Sequence, residues 1–354
     1  MSDHSEFTVA SSSGGYEVRI GSGRFGHAVE KADVVVVDAA LAARVPAGER
    51  PLLTITADED TKTLAGCERL ILEMRAAGVR RGDHVVAVGG GVVQDVATFV
   101  TDVYMRGLPW SYVPTTLMAM ADSCIGGKSS INVGGVKNLV VGIYPPQQVV
   151  VDPVFLQTLD STARAAGLSE AAKIAFCRSS ESFEGYLERY ARFVDEPSDL
   201  IEHVLRAKRW FVEIDEHDRK ERRLLNFGHT FGHALEAAVD HAIPHGVAVS
   251  IGVLCAAAHP AAGAGPLTDA LTAHCRELVG QAPGMPAALA RFDADVYERA
   301  FRSDKKHSAH AFRLILPAAE GSVAEVETGN GPQDWAAIAA VTDSTLESLG
   351  GPRA

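Results

Sequence analysis

The stretch HVVAVGGGVVQDVATFVTDVY, His84 to Tyr104, decides the fold. His84–Val88 reads as a short buried strand, Gly89-Gly90-Gly91 follows, and Val92–Tyr104 carries helical spacing. A strand feeding a glycine turn and then a helix is the start of a parallel crossover unit. Glycines let the backbone approach a diphosphate, and a helix N-terminus adds N–H groups and a positive dipole. The spacing is not GxGxxG, and a plain tight strand–helix turn reads equally well from these residues alone.

Further out, the same alternation recurs. Tyr16–Ile20 alternates as a strand, Asp33–Asp38 (DVVVVD) is a continuous β-branched run, and Leu52–Ile55 is another strand. Lys62–Ala77 places Leu64, Cys67, Leu70, Ile71 and Met74 on one side of a helix. Trp110–Val113 and Val149–Asp152 complete the strand set. Strands alternating with helices imply a mostly parallel α/β sheet. Residues up to about Gly15 are expected to be disordered. Past about Asp160 helical patterns dominate, at 161–178, 183–193, 198–215, 227–239, 246–259, 267–279, 287–302 and 333–348. A strand at Phe312–Leu316 interrupts them. The expected division is therefore an α/β domain over 1–160 and an α-helical domain over 161–354, with the cleft between them as the natural site.

Composition narrows the function. A hydrophobic fraction of 47% supplies a core, and a net charge of −12 argues against a dominant nucleic-acid role. A local basic pocket for a small anion is still allowed. The five cysteines, Cys67, Cys124, Cys177, Cys255 and Cys275, form no CxxC pair. That points to a reducing, cytoplasmic setting. The opening MSDHSEFTVASSSGG lacks the apolar core of a signal peptide. The uncharged run GVAVSIGVLCAAAHPAAGAG after His245 is long enough to suggest a membrane span. Its small residues, His259 and Pro260 argue instead for a buried helix ending in a loop.

The chemistry concentrates in LLNFGHTFGHALEAAVDHAIPH, Leu224 to His245. Four histidines, His229, His233, His241 and His245, fall in this one segment, and histidine is the commonest neutral metal ligand. His229 and His233, four apart, share a helix face. Glu170 in GLSEAAK lies on an otherwise apolar helix, where a carboxylate is costly unless paired or coordinated. It either completes a Glu/His/His zinc set with an open position or forms an i,i+3 ion pair with Lys173. Asp122-Ser-Cys-Ile-Gly-Gly-Lys128, continuing to Asn132 and Lys137-Asn138, gathers the charges and donors that phosphate binding needs. Asp58-Glu59-Asp60-Thr61-Lys62 offers acids for ribose hydroxyls or simply a solvated helix start.

In order along the chain, GGGVVQD, YMRG, VPTTL, DSCIGGK, KN, GLSEAAK, LLNFGHTFGHALE, HG and DKK resemble 3-dehydroquinate synthase and the related sugar-phosphate cyclases. The resemblance implies a Rossmann-like NAD domain followed by a mostly α-helical metal-binding domain. It implies zinc (or cobalt) on Glu170, His229 and His245, and moves His233 to the substrate side. Asp122, Lys128, Lys137, Asn138, Lys173, Lys208, Arg222, Asn226 and one of Lys305 and Lys306 match its substrate pocket. Arg106 matches an arginine contributed across a homodimer interface. Asp38, Glu59, Lys62, Gly90, Gly91, Asp95, Thr115, Thr116, Lys137, Phe155 and Thr158 match NAD-binding positions. The implied reaction oxidises a seven-carbon sugar phosphate transiently, eliminates phosphate, returns the hydride and closes a carbocycle by an aldol step. No nucleic-acid or membrane partner is implied.

Val247 stands where the family has the glutamate of HGE, and Lys220-Glu221-Arg222 lacks the usual glycine. MAMADSCIGGKSSIN and GLSEAAK also depart from the commoner AQVDSSVGGKTGVN and GMAEVIK. These bear on substrate identity. Arg222 and Asn226, which go with a carboxylate substrate in the family, favour 3-deoxy-arabino-heptulosonate 7-phosphate or an amino analogue. The alternatives are sedoheptulose 7-phosphate, a metal-dependent polyol dehydrogenase and a silent binding protein.

Overall fold

The protein, described here as a computed structural model, is defined over residues 4–318 and 321–351. The chain divides into two units. The first comprises the chain to Leu159 together with Phe193–Glu216. Its strands are β1 (His4–Val9), β2 (Tyr16–Gly21), β3 (Val34–Asp38), β4 (Leu52–Ile55), β5 (Val85–Gly89), β6 (Trp110–Pro114), β7 (Lys128–Val133), β8 (Val136–Ile143) and β9 (Gln148–Val151).

Seven of these form one sheet in the order β1-β2-β9-β6-β5-β3-β4. All its neighbouring pairs are parallel except β1 with β2. The continuous valine runs of β3 and β5 are buried along almost their whole length, as strands covered on both faces must be. From β3 the chain steps outward to β4, then returns to β5 on the other side of β3. The C-terminal ends of β3 and β5 thus flank a topological switch point, the usual ligand crevice of such sheets.

Three expectations are corrected, and one segment gains structure that the sequence did not announce. Among the described residues, His4–Val9 is not disordered: it pairs with β2 from His4↔Gly21 to Val9↔Tyr16 and buries Phe7 and Val9. Alternating burial in so short a segment was hidden by the serines that follow. The glycine-rich run Lys128–Asn138, to which sequence reading gave no strands, forms an antiparallel hairpin, β7 with β8, turning at Gly134-Gly135 with φ of 60° and 79°. The helix expected over 287–302 is broken into Met285–Leu289 and Ala294–Arg302, with Asp293 capping the second through Val296 N at 2.9 Å. Finally, Phe193–Glu216, expected in the helical domain, belongs to the first unit. Its helix Pro197–Ile214 packs on β1 and β2, and Arg206 lies 4.7 Å over the Phe7 ring.

The second unit comprises Asp160–Arg192 and the chain from His217. It is built on helices Ser161–Arg178, His229–Ala238, His245–Ala258 and Pro266–Gly280, with a hairpin of β10 (Ala311–Pro317) and β11 (Val323–Gly329) that sequence reading caught only in its first strand. Glycine lets the helices approach backbone to backbone. A Cβ on Gly246 would lie 2.1 Å from the Ala166 carbonyl oxygen, and one on Gly252 2.0 Å from that of Gly228. No described helix is long and apolar enough to cross a membrane; the run after His245 is a helix ending at Ala258.

Candidate functional site

In the second unit the helix Ser161–Arg178 is buried from Ala165 to Cys177, which carries Glu170 and Lys173 inside. Glu170 is 1% exposed. Its Oε1 lies 3.6 Å from His229 Nε2 and 3.4 Å from His245 Nε2, and its Oε2 is ion-paired with Lys173. Of the two readings of Glu170 left open by sequence, the ion pair with Lys173 is present, and the same carboxylate also faces both imidazoles. Oε2 is thus taken up by Lys173, while Oε1 faces only the two imidazole nitrogens. A buried carboxylate facing two imidazoles is a donor set for a cation that takes N and O ligands, such as Zn²⁺.

The rings are presented by their helices. His229 opens the helix His229–Ala238, and His233 follows one turn later on the same face, ring centroids 5.1 Å apart. His245 opens the facing helix, 5.3 Å from His229. Ligand atoms of His229, His233 and His245 all fall within 4.8 Å of one another. His229 Nδ1 meets the Phe227 carbonyl at 3.2 Å, and His245 Nδ1 meets Glu236 at 3.1 Å. In both rings Nε2 is left toward Glu170.

Electrostatics agree with a cation site. Burial alone would raise the Glu170 carboxyl, but Lys173, His229 and His245 together hold it well below the usual range. Burial, aided by Lys173, pushes His229 well down and leaves its ring neutral with a lone pair available; His233, more exposed to solvent, is also lowered, by partial desolvation and by His245 beside it. Burial disfavours charge on His245 too, yet hydrogen bonds to Glu170 and Glu236 raise it to about 10. A dication between these carboxylates would supply the positive charge that a proton otherwise provides.

Around this cluster, Lys306 rather than the exposed Lys305 is turned inward, paired with Asp304 at 2.7 Å. Arg222 is 4% exposed on the short helix Glu221–Asn226. Neighbouring Arg223 bonds Glu325 of β11 at 2.8 Å, and Asn226 Nδ2 donates to the Arg223 carbonyl at 2.9 Å. His241 is exposed in the left-handed turn beyond the helix, where its backbone N donates to the Glu236 carbonyl at 2.8 Å. Glu236 was missed by sequence reasoning; its signal was its position seven residues after His229, on the same helix face.

In the first unit the glycine turn starts the helix Gly91–Val103 at the end of β5. A Cβ on Gly90 would meet Thr116 Cγ2 at 2.9 Å, whereas at Gly91 nothing lies within 4 Å. Gly91 is thus the open approach to the helix N-terminus. Thr115 N donates to the Gly89 carbonyl at 3.0 Å. Asp38, at the end of β3, caps the next turn through Ala40 N. Lys62 bridges Asp95 at 2.6 Å and Asn138 Oδ1 at 2.9 Å. Asn132 links Glu59 at 2.7 Å to the backbone N–H of Asn138 at 2.9 Å. Burial pushes the Asp95 carboxyl up against the pull of Lys62 and the bonds from Ser130. The hairpin and the helix Leu64–Ala76 wall a cavity of about 470 Å³, lined by Glu59, Asp60, Asn132 and Lys137 among others.

Not every candidate joins this network. Asp122 pairs with Lys208 at 2.7 Å, while Lys128 is exposed at the start of β7. Phe155 is a core residue, 1% exposed, packed edge-on to Phe25 and under Arg44, so its side chain offers no surface to a ligand. Thr158 turns back to the Phe155 carbonyl at 3.1 Å. Arg106 is exposed in a run of three left-handed residues, Met105, Arg106 and Gly107, with φ of 50°, 71° and 102°. Replacing Lys62 with methionine would strip Asp95 of its cation. We expect a loss of about 1–3 kcal/mol, the scale of a hydrogen bond to a charged group, read by urea unfolding.

Comparison with known proteins identifies the family. Residues 52–166 match the family described as 3-dehydroquinate synthase N-terminal, and residues 167–307 its C-terminal counterpart. A 3-dehydroquinate synthase of Lactiplantibacillus plantarum is 36% identical over 276 residues, 76% of this chain and 75% of its own length. Other synthases match over 48% to 80% of their length. Two solved structures share the fold. One is 2-epi-5-epi-valiolone synthase of Streptomyces hygroscopicus subsp. jinggangensis 5008, with NAD⁺ and Zn²⁺ bound (TM-score 0.73, 24% identity, 88% of this chain and 91% of that one). The other is 2-deoxy-scyllo-inosose synthase with carbaglucose-6-phosphate, NAD⁺ and Co²⁺ (TM-score 0.75, 20% identity, 94% and 99%). Matched by both family halves and covering three quarters of a relative at 36% identity, the chain belongs to the 3-dehydroquinate synthase family of sugar-phosphate cyclases.

Proposed function

We propose that this chain is a sugar-phosphate cyclase of the 3-dehydroquinate synthase type. Its substrate is 3-deoxy-arabino-heptulosonate 7-phosphate or an amino analogue, with NAD and Zn²⁺ or Co²⁺ as cofactors. The observation that carries this is Glu170, a fully buried carboxylate whose Oε1 faces the Nε2 atoms of His229 and His245. When bound, NAD takes up and returns a hydride and the ion polarises the oxygens it holds.

The chain's own groups do the rest. Glu170, His229 and His245 hold the ion, and Lys173 keeps Glu170 ionised. His233, neutral at physiological pH, accepts or donates a proton at the substrate. Arg222, buried and permanently charged, suits a substrate carboxylate, with Asn226 beside it. Asp122, Lys128, Lys137, Asn138, Lys208 and Lys306 serve the phosphate and hydroxyls. Gly90, Gly91, Thr115 and Thr116 cradle the dinucleotide phosphates. Asp38, Glu59, Lys62, Asp95 and Thr158 complete that site, with Phe155 packed in the core behind it.

We also propose a homodimer in which Arg106 reaches the neighbouring site. Exposed Val103, Met105, Leu139 and Val141 supply apolar surface on the same unit for that contact.

Incubation with NAD, zinc and each heptulose phosphate tests the substrate. We expect stoichiometric phosphate release from the heptulosonate phosphate and no net absorbance at 340 nm. Release from sedoheptulose 7-phosphate alone would refute the heptulosonate assignment. Accumulating NADH without phosphate would mark a polyol dehydrogenase.

A further inference from the structure

Glu236 lies outside every role assigned above. It follows His229 by seven residues and His233 by three, so all three share one face of the helix His229–Ala238. Its side chain is 16% exposed, and a carboxylate buried that far needs a partner. The partner is His245: Nδ1 lies 3.1 Å from Glu236 Oε2, while Nε2 lies 3.4 Å from Glu170 Oε1. One ring thus meets two carboxylates from its two nitrogens, which leaves it a single satisfied orientation. His229 is held differently, by the Phe227 backbone carbonyl at 3.2 Å. A carboxylate acceptor makes an imidazole a stronger donor than a carbonyl does, and such partners set both tautomer and ring angle at metal sites.

We propose that Glu236 is a positioning residue for the metal: it fixes the His245 ring with Nε2 presented to the ion. It also supplies the second negative charge, so that Glu170 and Glu236 together balance a divalent cation held by neutral imidazoles. The proposal rests on the metal site described above. The same geometry makes the two histidines unequal. The support of His229 is main chain and survives any substitution, whereas that of His245 can be removed alone.

Co²⁺ titration of the full-length, chelator-stripped protein tests this, read by the d–d absorption bands rather than by turnover. Glu236→Gln and Glu236→Ala are each expected to weaken Co²⁺ binding by about 10–100-fold and to shift the bands at saturation. Glu236→Asp, which keeps the charge, is expected to recover part of the affinity. Thermal unfolding in chelator is measured alongside. Should the alanine variant fail to fold, the near-isosteric glutamine variant decides. Wild-type affinity and wild-type bands in the folded variants would overturn the proposal, even with a lowered Tm, since that pattern marks a merely structural carboxylate. Absence of Co²⁺ binding by the wild type would instead overturn the metal site itself.

Discussion

Glu170→Ala is expected to cost about 3–5 kcal/mol of stability in chelator, because it removes the carboxylate paired with the buried Lys173, and to abolish stoichiometric metal binding, because it removes a ligand. The pair is closed off from water on both sides, with side-chain exposures of 4% for Lys173 and 1% for Glu170. Against a typical total of about 5–15 kcal/mol, that loss is large. The ligand role and the ion-pair role separate in a second variant. Glu170→Ala combined with Lys173→Met removes both charges, and replacing a buried pair by apolar groups is often close to neutral. The double variant should therefore regain most of the stability and none of the metal. Wild-type protein should gain about 4 kcal/mol from zinc at a thousand times its Kd, and both variants should gain nothing. Retained stoichiometric zinc in Glu170→Ala would refute the ligand assignment. An equal stability loss in the single and double variants would refute the ion-pair account.

The same residue shows what the sequence made legible. A glutamate flanked by Ala171, Ala172, Ile174, Ala175 and Phe176 is conspicuous because apolar neighbours predict burial, and burial predicts a partner. The parallel sheet was legible for a similar reason: β-branched runs such as Val34–Val37 have one comfortable environment, between two covering layers. Less visible were features whose cause is remote in sequence. β1 exists because Tyr16–Gly21 offers it an edge, and nothing within His4–Val9 announces that partner. The helix Pro197–Ile214 has ordinary amphipathic spacing, which says that one face is buried but not against which unit. The β7–β8 hairpin was masked by its own glycines, which suit a phosphate loop and a tight turn equally. Spacing likewise paired His229 with His233, while His245 comes to His229 through helix packing across sixteen residues of chain.

That packing sets the second large effect. Gly252→Ala is expected to destabilise the protein by about 1–3 kcal/mol or more and to weaken metal binding at least tenfold, although Gly252 touches no ligand. An added Cβ would sit 2.0 Å from the Gly228 carbonyl oxygen and 2.7 Å from Gly232 N. Both are main-chain atoms and cannot rotate aside, so the helix that begins at His229 must move. That helix carries His229, His233 and Glu236, and its first turn is pinned by Gly228 in a left-handed conformation with φ 76°. A displacement approaching 1 Å exceeds the tolerance of a preorganised site, about 0.5 Å, so affinity falls together with stability. Gly280→Ala is the matched control. Nothing lies within 4 Å of the Cβ it would add, and it should be neutral or stabilising by up to about 1 kcal/mol. Urea unfolding and zinc titration of both variants give the comparison. If Gly252→Ala matched Gly280→Ala in both measurements, backbone contact between the two histidine-bearing helices would not be what sets the ligand geometry.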